Sequence, residues 1–409
     1  MAEKLLVRNF GPIVEADIEI RDLTVFVGPQ ATGKSMTAQL VYFMRGLEDL
    51  AGRPFGAYLD QRRRTLQSDD SPVLFTRDTP LQSAVSALEW WFGNKVSVYA
   101  AHHTTLGWNP QAPDTETQYE IRWDENGPRL NQALEDRVER GFHSLYPPPP
   151  PPQVYIPAGR ALYSFVPSSA ALRFLSQSRY QMQWPGYVIT FYEVLSKAIS
   201  QLWHDQEKGQ LTLLDSILWT DFVQARIDEI MKGQLRYGPD AVLLQVGKQK
   251  LLRPETIAAG QMEIWPFWAI LTETLKSGGL ARTRIYFEEP EAHLHPGAQR
   301  AVVQVIAYLV RQEGQFVITT HSPYILYAIN NALMAQQVLD RGKKLPPNIP
   351  GKIALRADQV AAYRFAPDGR VHDILDAEVG LIDESELDQV ADELGMAFTD
   401  LQEWLEGAE

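Results

Sequence analysis

Gly28-Pro29-Gln30-Ala31-Thr32-Gly33-Lys34-Ser35 follows the apolar run Leu23-Thr24-Val25-Phe26-Val27 and precedes the helix-compatible stretch Met36 to Met44. The spacing is G-x-x-x-x-G-K-[ST] in a strand–loop–helix context, which gives the pattern its meaning. Two glycines let the backbone curl so that successive N–H groups point inward, and a helix beginning near Lys34 adds its positive end. Such a loop suits the phosphates of a nucleoside triphosphate. Lys34 is expected at the β- and γ-phosphates and Ser35 on a magnesium ion. The contact set expected for ATP is Gly28, Pro29, Gln30, Ala31, Thr32, Gly33, Lys34, Ser35 and Met36.

A second stretch complements the first. Arg284-Ile285-Tyr286-Phe287-Glu288-Glu289 reads as an apolar strand ending in two carboxylates. At such a strand end Glu288 is expected to hold Mg²⁺ through water, and Glu289 to polarise the attacking water as general base. Gln315-Phe316-Val317-Ile318-Thr319-Thr320-His321 is another buried-type strand with a polar end. The three strands are expected side by side in one parallel sheet, whose carboxyl ends meet at a crevice. His321 then reaches the γ-phosphate and the attacking water.

Composition narrows the class. The 409 residues exceed one small domain, and 45% hydrophobic with 22% charged residues is ordinary globular usage. There is no membrane-length apolar run, the short apolar stretch near the N-terminus is not expected to act as a signal peptide, and there are no cysteines for disulfides or thiolate sites. A cytoplasmic location is expected, with no membrane partner. The net charge of −13 does not indicate DNA binding, which stays open only as a local basic patch such as Arg62-Arg63-Arg64 or Lys248, Lys250 and Arg253.

Along the chain, residues 1–55 read as an ATPase lobe of three short strands, the loop and a helix. Residues 56–153 read as an inserted antiparallel arm, with a hairpin at Gln118 to Leu130 and six prolines at Pro147 to Pro152. The prolines should form a stiff rod of about 19 Å. Residues 154–280 read as a helical lobe with a hairpin at 242–253, residues 281–335 as the return to the ATPase lobe, and residues 336–409 as a C-terminal extension. Sustained heptads are absent, so no long coiled coil is expected.

Taken together, Leu5 to Ile13, the phosphate loop, Glu288-Glu289-Pro290-Glu291-Ala292-His293-Leu294-His295-Pro296 and Thr319-Thr320-His321-Ser322-Pro323 resemble the ABC-type ATPases of the SMC-, RecF- and OLD-like branch. Tyr155-Ile156-Pro157-Ala158-Gly159-Arg160 also resembles the OLD-type ATPase components of anti-phage systems. The resemblance implies an α/β ATPase head with a mixed, largely parallel core sheet and a helical signature lobe. Gly28 to Ser35 is then the Walker A loop, Glu288 the metal carboxylate, Glu289 the base, His321 the switch histidine and 291–296 the loop at a dimer seam. Ala259, Gly260 and Gln261 stand at the signature motif, whose helix end would cap ATP on a second copy; alanines at 258 and 259 replace its usual serine.

That places the chain as a self-assembling ATPase with composite sites, as a homodimer or larger oligomer, controlling a separate effector in anti-phage defence. A RecF-like DNA repair clamp is the alternative, and a transporter's ATP-binding subunit ranks last. Residues 331–409 lack the strands ending in Glu-Gly and Asp-x-Asp that a Toprim nuclease requires. A zinc site at His293 and His295 has no accompanying ligand cluster in the sequence.

Overall fold

The structure is a computed structural model that describes residues 3–47, 80–93, 98–109, 119–143, 153–160, 185–208, 221–238, 242–248, 250–253, 256–276, 283–383 and 395–404. The polyproline run and Arg62-Arg63-Arg64 lie outside these residues.

The apolar run before the phosphate loop is β3 (Leu23–Val27), buried along its whole length. It occupies the middle of a six-stranded sheet. Beside it lie β12 (Gln315–Thr320), then β11 (Arg284–Glu288), then β7 (Gln153–Ile156); on its other side come β13 (Val360–Phe365) and β14 (Val371–Asp373). All neighbours pair in parallel except β13 with β14. Helices and a second sheet cover both faces, so these strands read as near-continuous apolar runs.

Side chains alternate across this sheet into two cores. Leu23, Val25, Ile285, Phe287, Phe316 and Ile318 face one; Phe26, Tyr155, Tyr286, Val317 and Phe365 face the other. The first core is closed by helices from the helical lobe and the returning ATPase lobe: α4 (Gly186–Glu207), α5 (Asp221–Met231), α6 (Ala259–Lys276), α7 (Pro296–Val310) and α8 (Pro323–Asp340). The second is closed by α1 (Lys34–Arg45), α2 (Pro80–Phe92) and a five-stranded antiparallel sheet in the order β2-β1-β4-β5-β6.

In that sheet β1 (Glu3–Phe10) and β2 (Ile13–Ile20) come from the N-terminus. Strands β4 (Ala100–Asn109), β5 (Tyr119–Asp124) and β6 (Gly127–Leu130) come from the inserted segment and attach through β4 to β1. The helix α3 (Gln132–His143) follows them. A small antiparallel sheet, β8 (Gln234–Tyr237), β9 (Val242–Val246) and β10 (Lys250–Leu252), edges the helical lobe and contains the second expected hairpin. A two-stranded pair, β15 (Leu375–Asp376) with β16 (Leu381–Ile382), follows β14. The architecture is α/β, with a mixed core sheet, antiparallel additions and a helical lobe.

Candidate active site at the carboxyl edge of the parallel sheet

Register decides where the chemistry meets. Thr320 on β12 pairs with Val27 on β3, and Thr319 pairs with Glu288 on β11. The ends of the three strands are therefore level, and the loops that follow them converge on one edge.

At that edge the phosphate loop turns into α1. Gly28 has φ 143°, and a Cβ there would lie 2.4 Å from the carbonyl oxygen of Phe365, so glycine alone fits. The first helical hydrogen bond runs from the Thr37 N–H to the Gly33 carbonyl at 2.8 Å. The N–H groups of residues 33–36 thus project from the helix end, the arrangement that binds anions. Thr32 Oγ1 donates to the Pro29 carbonyl at 2.9 Å and braces the loop. Met36 offers only its N–H to this edge, because its side chain packs against Gly11 and the second core.

Lys34 is buried, and its ammonium donates to the carbonyls of Gly28 (2.8 Å) and Pro29 (2.6 Å). Burial brings its pKa down to about 8, against the opposing pull of Glu289 and Glu291. Those two carboxylates place the acidic loop beside the phosphate loop.

Glu289 sits just past β11 with φ 43°, left-handed for a non-glycine residue. That conformation costs about 1 kcal/mol and persists where surroundings over-determine it. Its N–H donates to the Thr319 carbonyl at 2.9 Å, and its own carbonyl accepts from Arg160 Nη2 at 3.1 Å. The side chain is 37% exposed and lies 3.5 Å from His321 Nε2. That imidazole holds the Glu289 carboxyl below the usual range, so it is ionised at neutral pH and suited to accept a proton.

Glu288 has the opposite surroundings. It is buried, and its carboxyl accepts from the Tyr155 hydroxyl, from Gln39 Nε2 at 3.3 Å and from the Ala158 N–H at 3.0 Å. Burial raises its pKa while these three donors oppose the shift. Three donors occupy most of a carboxylate's acceptor directions. This donor set fits a metal held through water rather than by direct ligation. Ser35 opens α1 with a hydroxyl, a hard oxygen of the kind magnesium takes. Ser35 and Glu288 would hold Mg²⁺, which supplies charge neutralisation at the phosphates when bound.

Glu291 is turned inward. Its Oε1 accepts from Thr320 Oγ1 (2.7 Å) and from the His321 N–H (2.8 Å), while its Oε2 is buried without a partner. The carboxylate thereby fixes the backbone of His321, and burial raises its pKa. Among the described residues no cluster of three or more His, Cys, Asp or Glu could hold a metal; His295 instead accepts the Gly297 N–H at its Nδ1 (3.2 Å) at the start of α7.

The turn after β7 carries the residues whose roles the sequence leaves unassigned. Tyr155 is packed among Tyr42, Trp91, Tyr187 and Tyr286, with ring centroids 5.6–6.0 Å away, which aims its hydroxyl at Glu288. Arg160 is fully buried over the Phe287 ring at 4.7 Å. It donates to the carbonyls of Glu288 (2.9 Å), Glu289 (3.1 Å), Pro157 (3.2 Å) and Glu263 (2.6 Å). Burial brings its pKa down to about 10, still charged at neutral pH. The only sequence signal for these two is an apolar strand closing in Pro-Ala-Gly-Arg.

At the head of α6, Ala258 and Ala259 are exposed, whereas Gly260 and Gln261 are engaged within the chain. A Cβ on Gly260 would lie 2.6 Å from the His293 carbonyl, so the acidic loop packs directly on this helix. Gln261 accepts the Ala258 N–H at 3.1 Å and donates to the Met231 carbonyl at 2.6 Å. Exposed alanines and the helix end are what this motif presents outward.

Comparison with known proteins finds a match over part of this edge. Residues 280–326, spanning β11, α7, β12 and the start of α8, match the family model described as AAA ATPase domain. No curated protein matches the chain. Among solved structures the chain is similar to an SMC head bound to the C-terminal winged-helix domain of ScpA, at 12% identity and TM-score 0.43, covering 92% of this chain and 98% of that one. It is also similar to the SMC head domain from Thermotoga maritima, at 11% identity and TM-score 0.37, covering 91% and 98%. A third is the SMC head with an extended coiled coil from Pyrococcus furiosus, bound to the C-terminal domain of ScpA, at 13% identity and TM-score 0.40, covering 96% and 99%. Among the described residues no helix is long and apolar enough to cross a membrane.

Proposed function

We propose that the chain is a Mg²⁺-dependent ATPase subunit that pairs with further copies of itself. The observation that supports this best is the contact between Glu289 and His321 beside Lys34, at the edge where the phosphate loop begins. Gly28 to Met36 bind the triphosphate through main-chain N–H groups and the Lys34 ammonium. Ser35 and Glu288 hold the magnesium ion. Glu289 takes a proton from the attacking water, and His321 orients that carboxylate and faces the terminal phosphate. The exposed start of α6 at Ala259 meets ATP on a second copy, completing a composite site. Without a serine hydroxyl there, turnover is slow.

In this reading lobe 1–55 with 281–335 carries the chemistry, 56–153 is the inserted arm, 154–280 the signature lobe and 336–409 an extension. ATP-driven pairing controls a separate effector in the cytoplasm, in line with the resemblance to anti-phage ATPases.

The test is phosphate release by purified protein. Glu289→Gln is expected to keep ATP binding and lose hydrolysis by about a hundredfold or more; Lys34→Ala loses both. Undiminished release by Glu289→Gln overturns the site assignment.

A further inference from the structure

The charge of this chain is not spread along it. Residues 371–409 contain thirteen Asp and Glu and neither Lys nor Arg, which equals the net charge of −13 for the whole protein. Residues 1–370 therefore balance to zero. Within the acidic end, residues 395–404 form a helix in which all ten residues are exposed.

That helix is not polar on all sides. At 100° per residue, Ala397, Phe398, Leu401 and Trp404 fall within an arc of about 120°, and Thr399, Asp400, Gln402 and Glu403 lie opposite, with Met396 the one large apolar residue among them. Phe398 is 62% exposed, Leu401 70% and Trp404 82%, so among the described residues nothing covers this stripe. A helical run of this length is marginal in water without packing. Large apolar residues three apart along one face are the anchors of a helix that lies in a groove.

We propose that residues 395–404 are a docking helix for a different protein, one bearing an apolar groove rimmed by Lys and Arg. The aromatic stripe specifies the groove floor, and the acidic surroundings specify the rim. A second copy of this chain fits the description less well than a basic partner does. Its first 370 residues carry no net positive charge, and its own acidic end repels the incoming one. The inference rests on the reading that a separate effector is controlled, and it gives that effector a place to bind on residues outside the proposed ATP-binding set.

The experiment places a photo-cross-linking benzoylphenylalanine at position 398 of the full chain, expressed in cells that encode it, and maps cross-linked peptides by mass spectrometry. The captured protein is then purified and titrated against the full chain. One heterologous protein is expected, cross-linked within an apolar groove bordered by Lys and Arg. Phe398→Asp and Trp404→Asp should each weaken its binding by about tenfold or more. Raising salt from about 50 to 300 mM should weaken it by a similar factor, because an acidic tail against a basic rim is screened. Both variants should release phosphate within about twofold of wild type, since neither residue belongs to the proposed ATP site.

Cross-links confined to a second copy or to nucleic acid overturn the proposal, as does the absence of any cross-link. A captured protein that binds both variants at wild-type strength overturns it as well. Loss of phosphate release in the wild type would count against the ATPase reading while leaving this binding measurement intact.

Discussion

Arg160 Nη2 donates to the main-chain carbonyl of Glu289 over 3.1 Å, so the backbone of the proposed base is held by a buried cation. The same guanidinium donates to the carbonyls of Glu288 and Glu263. Glu263 lies in the second turn of α6, the helix whose exposed head meets a second copy in the proposed assembly. Arg160 thus joins that helix to both acidic residues, and it keeps Glu289 in its left-handed conformation.

Arg160→Lys tests this link. Lysine keeps the charge but is a point donor and cannot reach four carbonyls in a planar fork. We expect kcat to fall by about tenfold or more while ATP affinity changes by less than about threefold, because no phosphate contact is removed. Steady-state hydrolysis with separate nucleotide titration checks the split. A parallel fall in binding would show that Arg160 acts on the phosphate loop instead.

Tyr155→Phe removes one hydroxyl and leaves the aromatic packing. Glu288 then loses a donor that opposes the upward push of burial on its pKa. Its pKa should rise further, which disfavours the ionised form that a metal requires. The expected result is a several-fold higher Mg²⁺ concentration for half-maximal hydrolysis. Stability should change by about 1 kcal/mol, the usual worth of one buried hydrogen bond. Magnesium titrations at pH 6.5 and 8 check the sign: because the defect is protonation, the higher pH should partly restore activity.

How far the chain could be read from its sequence follows from contact range. Lys34 and Glu289 were legible because local spacing marks them, and the level ends of β3, β12 and β11 followed from three apolar runs with polar ends. Tyr155 and Arg160 were not. A tyrosine inside an apolar strand reads as core, and three of the four carbonyls that Arg160 holds lie 103, 128 and 129 residues away, beyond any local pattern. Gln39 carried a usable signal, standing four residues after Ser35 on the same helical face. The loop 291–296 is expected at a dimer seam, and local spacing does not mark the contact of the Glu291 carboxyl with Thr320 and the His321 N–H.

Gly260→Ala probes the seam between α6 and the acidic loop. The added Cβ meets the His293 carbonyl at 2.6 Å, a backbone atom that cannot swing aside. His293 is itself left-handed, with φ 57°, so the loop has little slack. We expect the variant to fold with a melting temperature lowered by a few degrees, as about 1–3 kcal/mol of overpacking implies. Hydrolysis should fall more than ATP binding, because the displaced loop carries Glu289 and Glu291 but not the phosphate cradle. Equal losses of both would place the disturbance in the cradle.

The depressed pKa of Lys34 gives the site a proton signature. In the free protein burial brings this ammonium down to about 8. A bound triphosphate favours the charged form and raises that value. Between the two values the complex holds more protons than the free protein, so binding takes up protons there. Near pH 8.5 the free amine is about three-quarters neutral, and uptake should approach that fraction of a proton; near pH 6.5 this uptake from Lys34 should vanish. Affinity must correspondingly fall as pH rises above about 8. Calorimetric titrations with a non-hydrolysable ATP analogue in buffers of different ionisation enthalpy measure the uptake directly. A wild-type uptake at pH 8.5 no larger than at pH 6.5 would mean that some group other than Lys34 neutralises the phosphates.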